Sequence, residues 1–202
     1  MSSKRHLPHS SLQSLFDVLA ERGYTVIAPQ AKDGRIIYAE TRHAADLPWG
    51  VSLEQAAGSS RTSQGKHAKC FAWANGPQAL KPLLFAPREP LWRIGRKLDG
   101  YAVEAIESAQ RPLAVIGVRA CDLAALRIQD RHFLGGPYPD PHYGGRREGM
   151  LLIAANCTHP AATCFCASTG DGPEAKAGFD IALSELDDGF VVEAGSPEGE
   201  QI

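Results

Sequence analysis

Pro112-Leu113-Ala114-Val115-Ile116-Gly117-Val118 and Met150-Leu151-Leu152-Ile153-Ala154-Ala155 are two unbroken apolar runs. A strand with one wet face alternates apolar and polar residues, whereas a strand covered on both faces of a parallel sheet reads as continuously apolar. Between the runs, Cys121 to Phe133 has helical composition, with Leu123, Leu126 and Ile128 apolar and Asp122 in the first turn, where a negative charge complements the helix dipole. Strand, helix and strand make a βαβ unit, which predicts an α/β fold with a βαβ core inside a mixed sheet.

Working outward from that core, Phe179–Leu186 and Phe190–Glu193 flank Asp187-Asp188-Gly189 and read as a late β-hairpin. A Gly/Pro/Tyr-rich loop is predicted before Met150. Leu83–Ala86 reads as a short strand, and Leu91–Ala109 as a helix despite Gly95 and Gly100. Upstream, residues 1 to 9 are polar and basic and read as frayed. Ser10 or Ser11 can cap a helix with Leu12, Leu15, Phe16 and Leu19 on one face, stopped at Gly23. Tyr24–Ala28 and Arg35–Ala39 form a hairpin about Lys32-Asp33-Gly34, and the polar stretch Gly58–Lys69 reads as a long loop. The division predicted is a helix, hairpin and polar loop over residues 1–79, as part of one domain or a small subdomain, and an α/β domain over 80–202.

Composition narrows the function. With 44% hydrophobic and 22% charged residues the chain is an ordinary globular protein. Its net charge of −2 argues against a general nucleic-acid binder, which would be clearly basic. No apolar run approaches the ~20 residues of a membrane span, and no secretory signal opens the sequence, so the expectation is a soluble, cytoplasmic protein. Neither a Gly-x-Ser-x-Gly elbow nor a Gly-x-Gly-x-x-Gly fingerprint is present, and Gly170-Asp171-Gly172-Pro173 lacks the lysine of a phosphate loop.

The cysteines carry the chemistry. There are five, and Cys157, Cys164 and Cys166 crowd together. Cys70, within Lys69-Cys70-Phe71-Ala72-Trp73, reads as a small buried hydrophobe. In a reducing compartment the crowded trio reads as a metal or redox site rather than as disulfides. Cys121 follows the first apolar strand and Cys157 the second. A right-handed βαβ unit delivers both to the carboxyl edge of the sheet, where open α/β folds bind ligands. Cys164 and Cys166 lie in the next loop, so four thiols can converge. Four sulfurs select zinc or an iron–sulfur cluster. The spacing Cys157-x6-Cys164-x-Cys166 with a distant Cys121 fits no zinc ribbon or finger and suits a [4Fe-4S] cage better; zinc, a redox thiol pair or unliganded cysteines remain open. A helix N-terminus at Cys121 would favour its thiolate, and Gly170 and Gly172 would admit backbone amides to the sulfurs.

Other polar groups have plainer readings. Asp122, Asp130, Asp140 and Glu148 read as scattered loop and surface acids, and His132, His142 and His159 as loop or surface histidines. Arg119, Arg127, Arg131, Arg146 and Arg147 form a basic group: a solvated face, or a docking site for an acidic electron-transfer partner or an anionic flavin or nucleotide.

Gly117-Val118-Arg119-Ala120-Cys121-Asp122-Leu123, Asp140-Pro141-His142-Tyr143, Asn156-Cys157-Thr158 and Thr163-Cys164-Phe165-Cys166-Ala167-Ser168 together resemble the iron–sulfur beta subunit of cytoplasmic sulfhydrogenases and its iron–sulfur counterpart in anaerobic sulfite reductase. Phe85-Ala86-Pro87-Arg88-Glu89 also fits. The resemblance spans roughly residues 80 to 199, and more weakly the first 80. It implies an electron-transfer subunit with a [4Fe-4S] cluster on Cys121, Cys157, Cys164 and Cys166; Phe165 and the apolar strand ends are expected to limit water access to it. The partners implied are a flavoprotein subunit together with a catalytic hydrogenase or reductase subunit. The alternative is a structural zinc-binding assembly module without redox activity. The family's ferredoxin-like region, with its tight Cys-x-x-Cys runs, is not in this sequence, so the chain reads as a fragment or as a minimal version with one cluster.

Overall fold

The computed structural model describes residues 4–76, 79–106 and 111–202, and in it the two apolar runs are neighbouring parallel strands at the centre of a mixed sheet. The elements are β1 (Arg5–Pro8), α1 (Leu12–Glu21), β2 (Thr25–Lys32), β3 (Arg35–Glu40), β4 (Val51–Ala56) and β5 (Ser59–Gln64). There follow α2 (Lys81–Leu84), β6 (Trp92–Lys97), β7 (Gly100–Ala105), β8 (Leu113–Val118), α3 (Ala120–Phe133), α4 (Pro141–Glu148) and β9 (Met150–Ala155). The chain finishes with α5 (Cys166–Thr169), β10 (Ile181–Glu185), β11 (Gly189–Ala194) and α6 (Pro197–Glu200). Seven strands form one sheet in the order β1-β11-β10-β9-β8-β2-β3. The four inner strands β2, β8, β9 and β10 run parallel, while β3, β11 and β1 pair antiparallel at the edges. The mixed α/β architecture, the βαβ core and the late hairpin are therefore as the sequence predicts.

Period-2 alternation explains why the central strands are apolar throughout. Leu151, Ile153 and Ala155 of β9 join a core under α1 with Phe16, Phe71 and Trp73, while Met150, Leu152 and Ala154 join a second core with Leu84, Leu123, Leu126 and Tyr143. In β8, Ala114 and Ile116 face the first core and Val115 the second. Strict alternation would return Val118 to the first core. An irregularity between Ile116 and Val118, at Gly117 with φ +87°, turns it to the second instead.

Several local expectations are corrected. Arg5–Pro8 is an ordered edge strand paired with β11, while residues 1–3 lie outside the described residues. Gly58–Lys69 is not a loop through its first half, since Ser59–Gln64 pairs with Val51–Ala56, turning through Gly58 at φ +73°. Leu83–Ala86 is not a strand: Pro82, with its fixed φ, starts a single helical turn over Lys81–Leu84. The helix predicted over Leu91–Ala109 is the hairpin β6–β7, its residues 107–109 lying outside the described ones. The alternation Trp92-x-Ile94 and Tyr101-x-Val103 is strand-like, and the two glycines are poor helix formers. The loop before Met150 contains α4, begun by Pro141 and capped by Asp140, whose side chain accepts from the N–H groups of His142 (2.9 Å) and Tyr143 (3.0 Å). Ser11 stands at the N-cap of α1 without a side-chain capping bond. Ile128 is exposed on α3 rather than part of its buried stripe. Among the described residues no helix is long and apolar enough to cross a membrane.

Candidate metal centre at the carboxyl edge of the sheet

Asp122 organises the start of α3. Its side chain accepts from the backbone N–H of Arg119 at 3.0 Å and from the Asn75 amide, holding the strand-to-helix turn that bears Cys121. Burial pushes the Asp122 carboxyl up to about 6 against the opposing pull of that N–H and of the Arg119 guanidinium. It is a buried cap, not the surface acid read from the sequence.

Arg119 is likewise corrected. It is 2% exposed, so it is no part of a docking face. Its guanidinium donates to the carbonyls of Phe71 and Trp73, both at 2.8 Å, and to those of Ala155 at 3.2 Å and Asn156 at 3.3 Å. It also lies 4.5 Å from the Trp73 ring centroid. One side chain thus ties the turn before Cys121 to the strand end before Cys157 and to the 71–73 segment. The rest of the basic group is divided: Arg146 bonds Glu89 and the Leu84 carbonyl, Arg147 bonds Asp130, and Arg127 bonds Asp171.

Asn156 closes the rim from the other side. Its amide donates to Ser184 Oγ and accepts from the Ala175 N–H, both at 2.8 Å, while the Cys157 N–H donates to the Pro173 carbonyl at 3.1 Å. The loop from Cys157 to Ala175 is thereby folded back over the strand ends. Within it, Cys166 begins α5 and packs against Gly172 and Ala120: a Cβ added at Gly172 would stand 3.0 Å from Cys166 Sγ and 3.5 Å from the Ala120 Cβ. A side chain at Gly172 would press on the Cys166 sulfur, a role beside the presentation of an amide.

Cys166 lies near the start of α3, its Sγ and the Ala120 Cβ both flanking Gly172. Partial burial, Asp122 and Cys166 together raise the Cys121 thiol to about 11, which outweighs the helix N-terminus and reverses the predicted favouring of its thiolate. Cys164 Sγ accepts from the Ala161 N–H of its own loop at 3.3 Å. Cys121, Cys157, Cys164 and Cys166 are all free of disulfides and at least partly accessible. Even so, among the described residues no three His, Cys, Asp or Glu side chains gather closely enough to hold a metal. As a donor set, four accessible thiols fit an iron–sulfur cluster or zinc. Phe165 is 72% exposed and does not shield the rim as expected. Cys70 is fully buried, its thiol pushed strongly up by burial and by Glu185, in keeping with the packing role read from the sequence.

Nearby, His67 approaches His159 with ring centroids 5.8 Å apart, and partial burial together with His67 and Lys69 lowers the His159 pKa. His67 Nδ1 accepts from the Lys69 N–H at 3.2 Å, so the ring proton sits on Nε2 and donates to Ser52 Oγ at 3.0 Å. A histidine in that tautomer cannot take the serine proton, so the pair is not a nucleophile and base.

A further feature escaped the sequence. β3, the β4–β5 hairpin and the segments 73–76 and 79–83 frame a cleft of about 1190 Å³. Its wall is bonded to the cysteine rim at two places: Asn75 to Asp122, and Gln55, which accepts from Thr163 Oγ1 at 3.2 Å.

Fold and rim together define the class: a mixed α/β domain with unpaired thiols beyond its parallel strands. Over 122 residues, 60% of its length, the chain is 33% identical to a curated protein of Pyrococcus furiosus, "Sulfhydrogenase 2 subunit beta". This bears out the resemblance carried by the cysteine motifs: the chain is related to sulfhydrogenase beta subunits. The match spans about a third (34%) of that relative's own length. No protein family and no solved structure matches the chain.

Proposed function

We propose that this chain is an electron-transfer component of a sulfhydrogenase-like complex, holding a [4Fe-4S] cluster on Cys121, Cys157, Cys164 and Cys166. What supports the reading is that Cys121 and Cys157 follow the neighbouring parallel strands β8 and β9 directly, with the disulfide-free Cys164 and Cys166 in the next loop, in a chain related to a protein named as a sulfhydrogenase subunit. Such a cluster, when bound, takes up and gives back single electrons. The protein's own contribution is positional and electrostatic. Arg119 holds both cysteine-bearing strand ends and sets a buried positive charge behind thiolates that would carry negative charge. Gly172 leaves room for Cys166. Cluster binding is assigned to residues 80–202, which contain all four cysteines; residues 1–79 supply β1, β2 and β3 of the sheet and most of the cleft lining. The relative's name, a sulfhydrogenase beta subunit, supports partner subunits, and the reading assigns a flavoprotein and a catalytic hydrogenase or reductase subunit to that role, in the cytoplasm.

Anaerobic reconstitution with iron and sulfide tests this. The expected product is brown, contains iron and inorganic sulfide, and is bleached by dithionite. Cys164→Ala should lower the iron content, and unchanged iron would refute the ligand set. A colourless protein with one zinc, unaffected by dithionite, would replace electron transfer with structural assembly.

A further inference from the structure

We infer that the cleft beside the cysteine rim is a binding site for a phosphorylated flavin of the mononucleotide class. This rests on the electron-transfer reading for its purpose, but not for its geometry. At about 1190 Å³ the cleft lies at or above the usual range for small-ligand pockets, which suits a nucleotide-sized ligand rather than a metabolite of a few atoms. Its chemistry is divided. Arg35 and Arg61 line it, and neither guanidinium has a hydrogen-bonded or ion-paired partner among the described residues. Two exposed guanidiniums whose planar forks match phosphate oxygens make an anion-receiving pair. The one acid in the lining, Glu54, stands opposite Arg61 in the hairpin register and leaves the lining with net positive charge.

The inner side is aromatic and amide-bearing. Tyr38, half-buried, donates to the Gly117 carbonyl at 2.8 Å, which fixes its ring against the wall, while the Trp73 indole is buried in the core, its N–H bonded to the Cys70 carbonyl at 2.7 Å. The Tyr38 ring is not free to swing, so the surface it offers to a planar ring system is preorganised. Gln55 and Asn75, joined through a bond from the Gln55 amide to the Asn75 carbonyl at 3.2 Å, add polar groups suited to a flavin's heteroatom edge. These same two residues bond the segments that carry Cys121 and Cys164, through Asp122 and Thr163. A ring against Tyr38 and Asn75 would therefore lie beside the thiol rim with its phosphate directed away toward Arg35 and Arg61. The sequence holds no glycine fingerprint for a dinucleotide, and this site requires none, because side chains rather than a helix N-terminus receive the phosphate.

Titration of the full chain with flavin mononucleotide, followed by quenching of flavin fluorescence, tests the inference, with riboflavin and inorganic phosphate as parallel probes. Saturable binding of the mononucleotide, weaker binding of riboflavin, and competition by phosphate are expected. Replacing both arginines (Arg35→Ala with Arg61→Ala) should weaken the mononucleotide by about tenfold or more, and the double lysine variant should recover most of it, which separates lost charge from lost folding. No saturable quenching, or binding that ignores both the phosphate and the arginines, would overturn the inference. Cys164→Ala separates this outcome from the cluster reading: iron should fall while flavin binding persists. Iron retained in that variant refutes the cluster ligands alone, and absent flavin binding in iron-loaded wild-type protein refutes the cleft alone.

Discussion

Arg119 donates to four backbone carbonyls in two separate segments, so a hydrophobic replacement leaves several buried acceptors without a donor. Arg119→Met is expected to lower unfolding stability by about 3 kcal/mol or more, read from urea denaturation, since an abandoned buried acceptor is costlier than a bond is valuable. Iron uptake should fall with it if the rim loses its geometry. Gly117 is a second sensitive position, because its φ of +87° disfavours any side chain and an added Cβ would meet Phe71 at 3.0 Å and Pro29 at 3.2 Å. Gly117→Ala should cost about 1–3 kcal/mol by the same measurement.

At the scale of elements, α4 depends on one cap. Asp140→Ala removes the acceptor for two N–H groups and should destabilise by about 1 kcal/mol, checked by thermal unfolding. The α2–α4 corner is tied by Glu89 to Arg146 and His142, and the Arg146 bond, with smaller help from its charge and His142, holds the Glu89 carboxyl below its ordinary range. A depressed carboxylate contributes stability above its unfolded pKa and loses it as pH falls through the lower folded one. Glu89→Gln should therefore melt below wild type near neutrality, with the difference vanishing under acid conditions. The hairpin β6–β7 behaves oppositely: Trp92, Ile94, Tyr101 and Val103 are each exposed by 60% or more. Ile94→Thr with Tyr101→Thr should change stability by no more than about 0.5 kcal/mol while reducing self-association in light scattering.

For the molecule as a whole, what the sequence determined by itself was the class and the centre. Two apolar runs, the helix between them and the late hairpin are set by local periodicity and turn chemistry, which need no knowledge of partners. Asp33 and Gly34, both at positive φ, make the two-residue turn their sequence announces. The arrival of Cys121 and Cys157 at one sheet edge follows from the handedness of βαβ units. Where two patterns competed, sequence failed: Leu91–Ala109 has helix-forming composition and strand-like alternation at once, and the polar strand β5 owes its existence to pairing with β4 rather than to propensity. Tertiary structure alone decided which charges are inside. Arg119 and Asp122 look like any arginine and aspartate along the chain. Their roles arise because carbonyls and an amide from segments far apart in the chain, Phe71, Trp73, Asn75 and Ala155, meet them only after folding. The cleft is of the same kind: it is a space between elements, and no single stretch of chain encodes it.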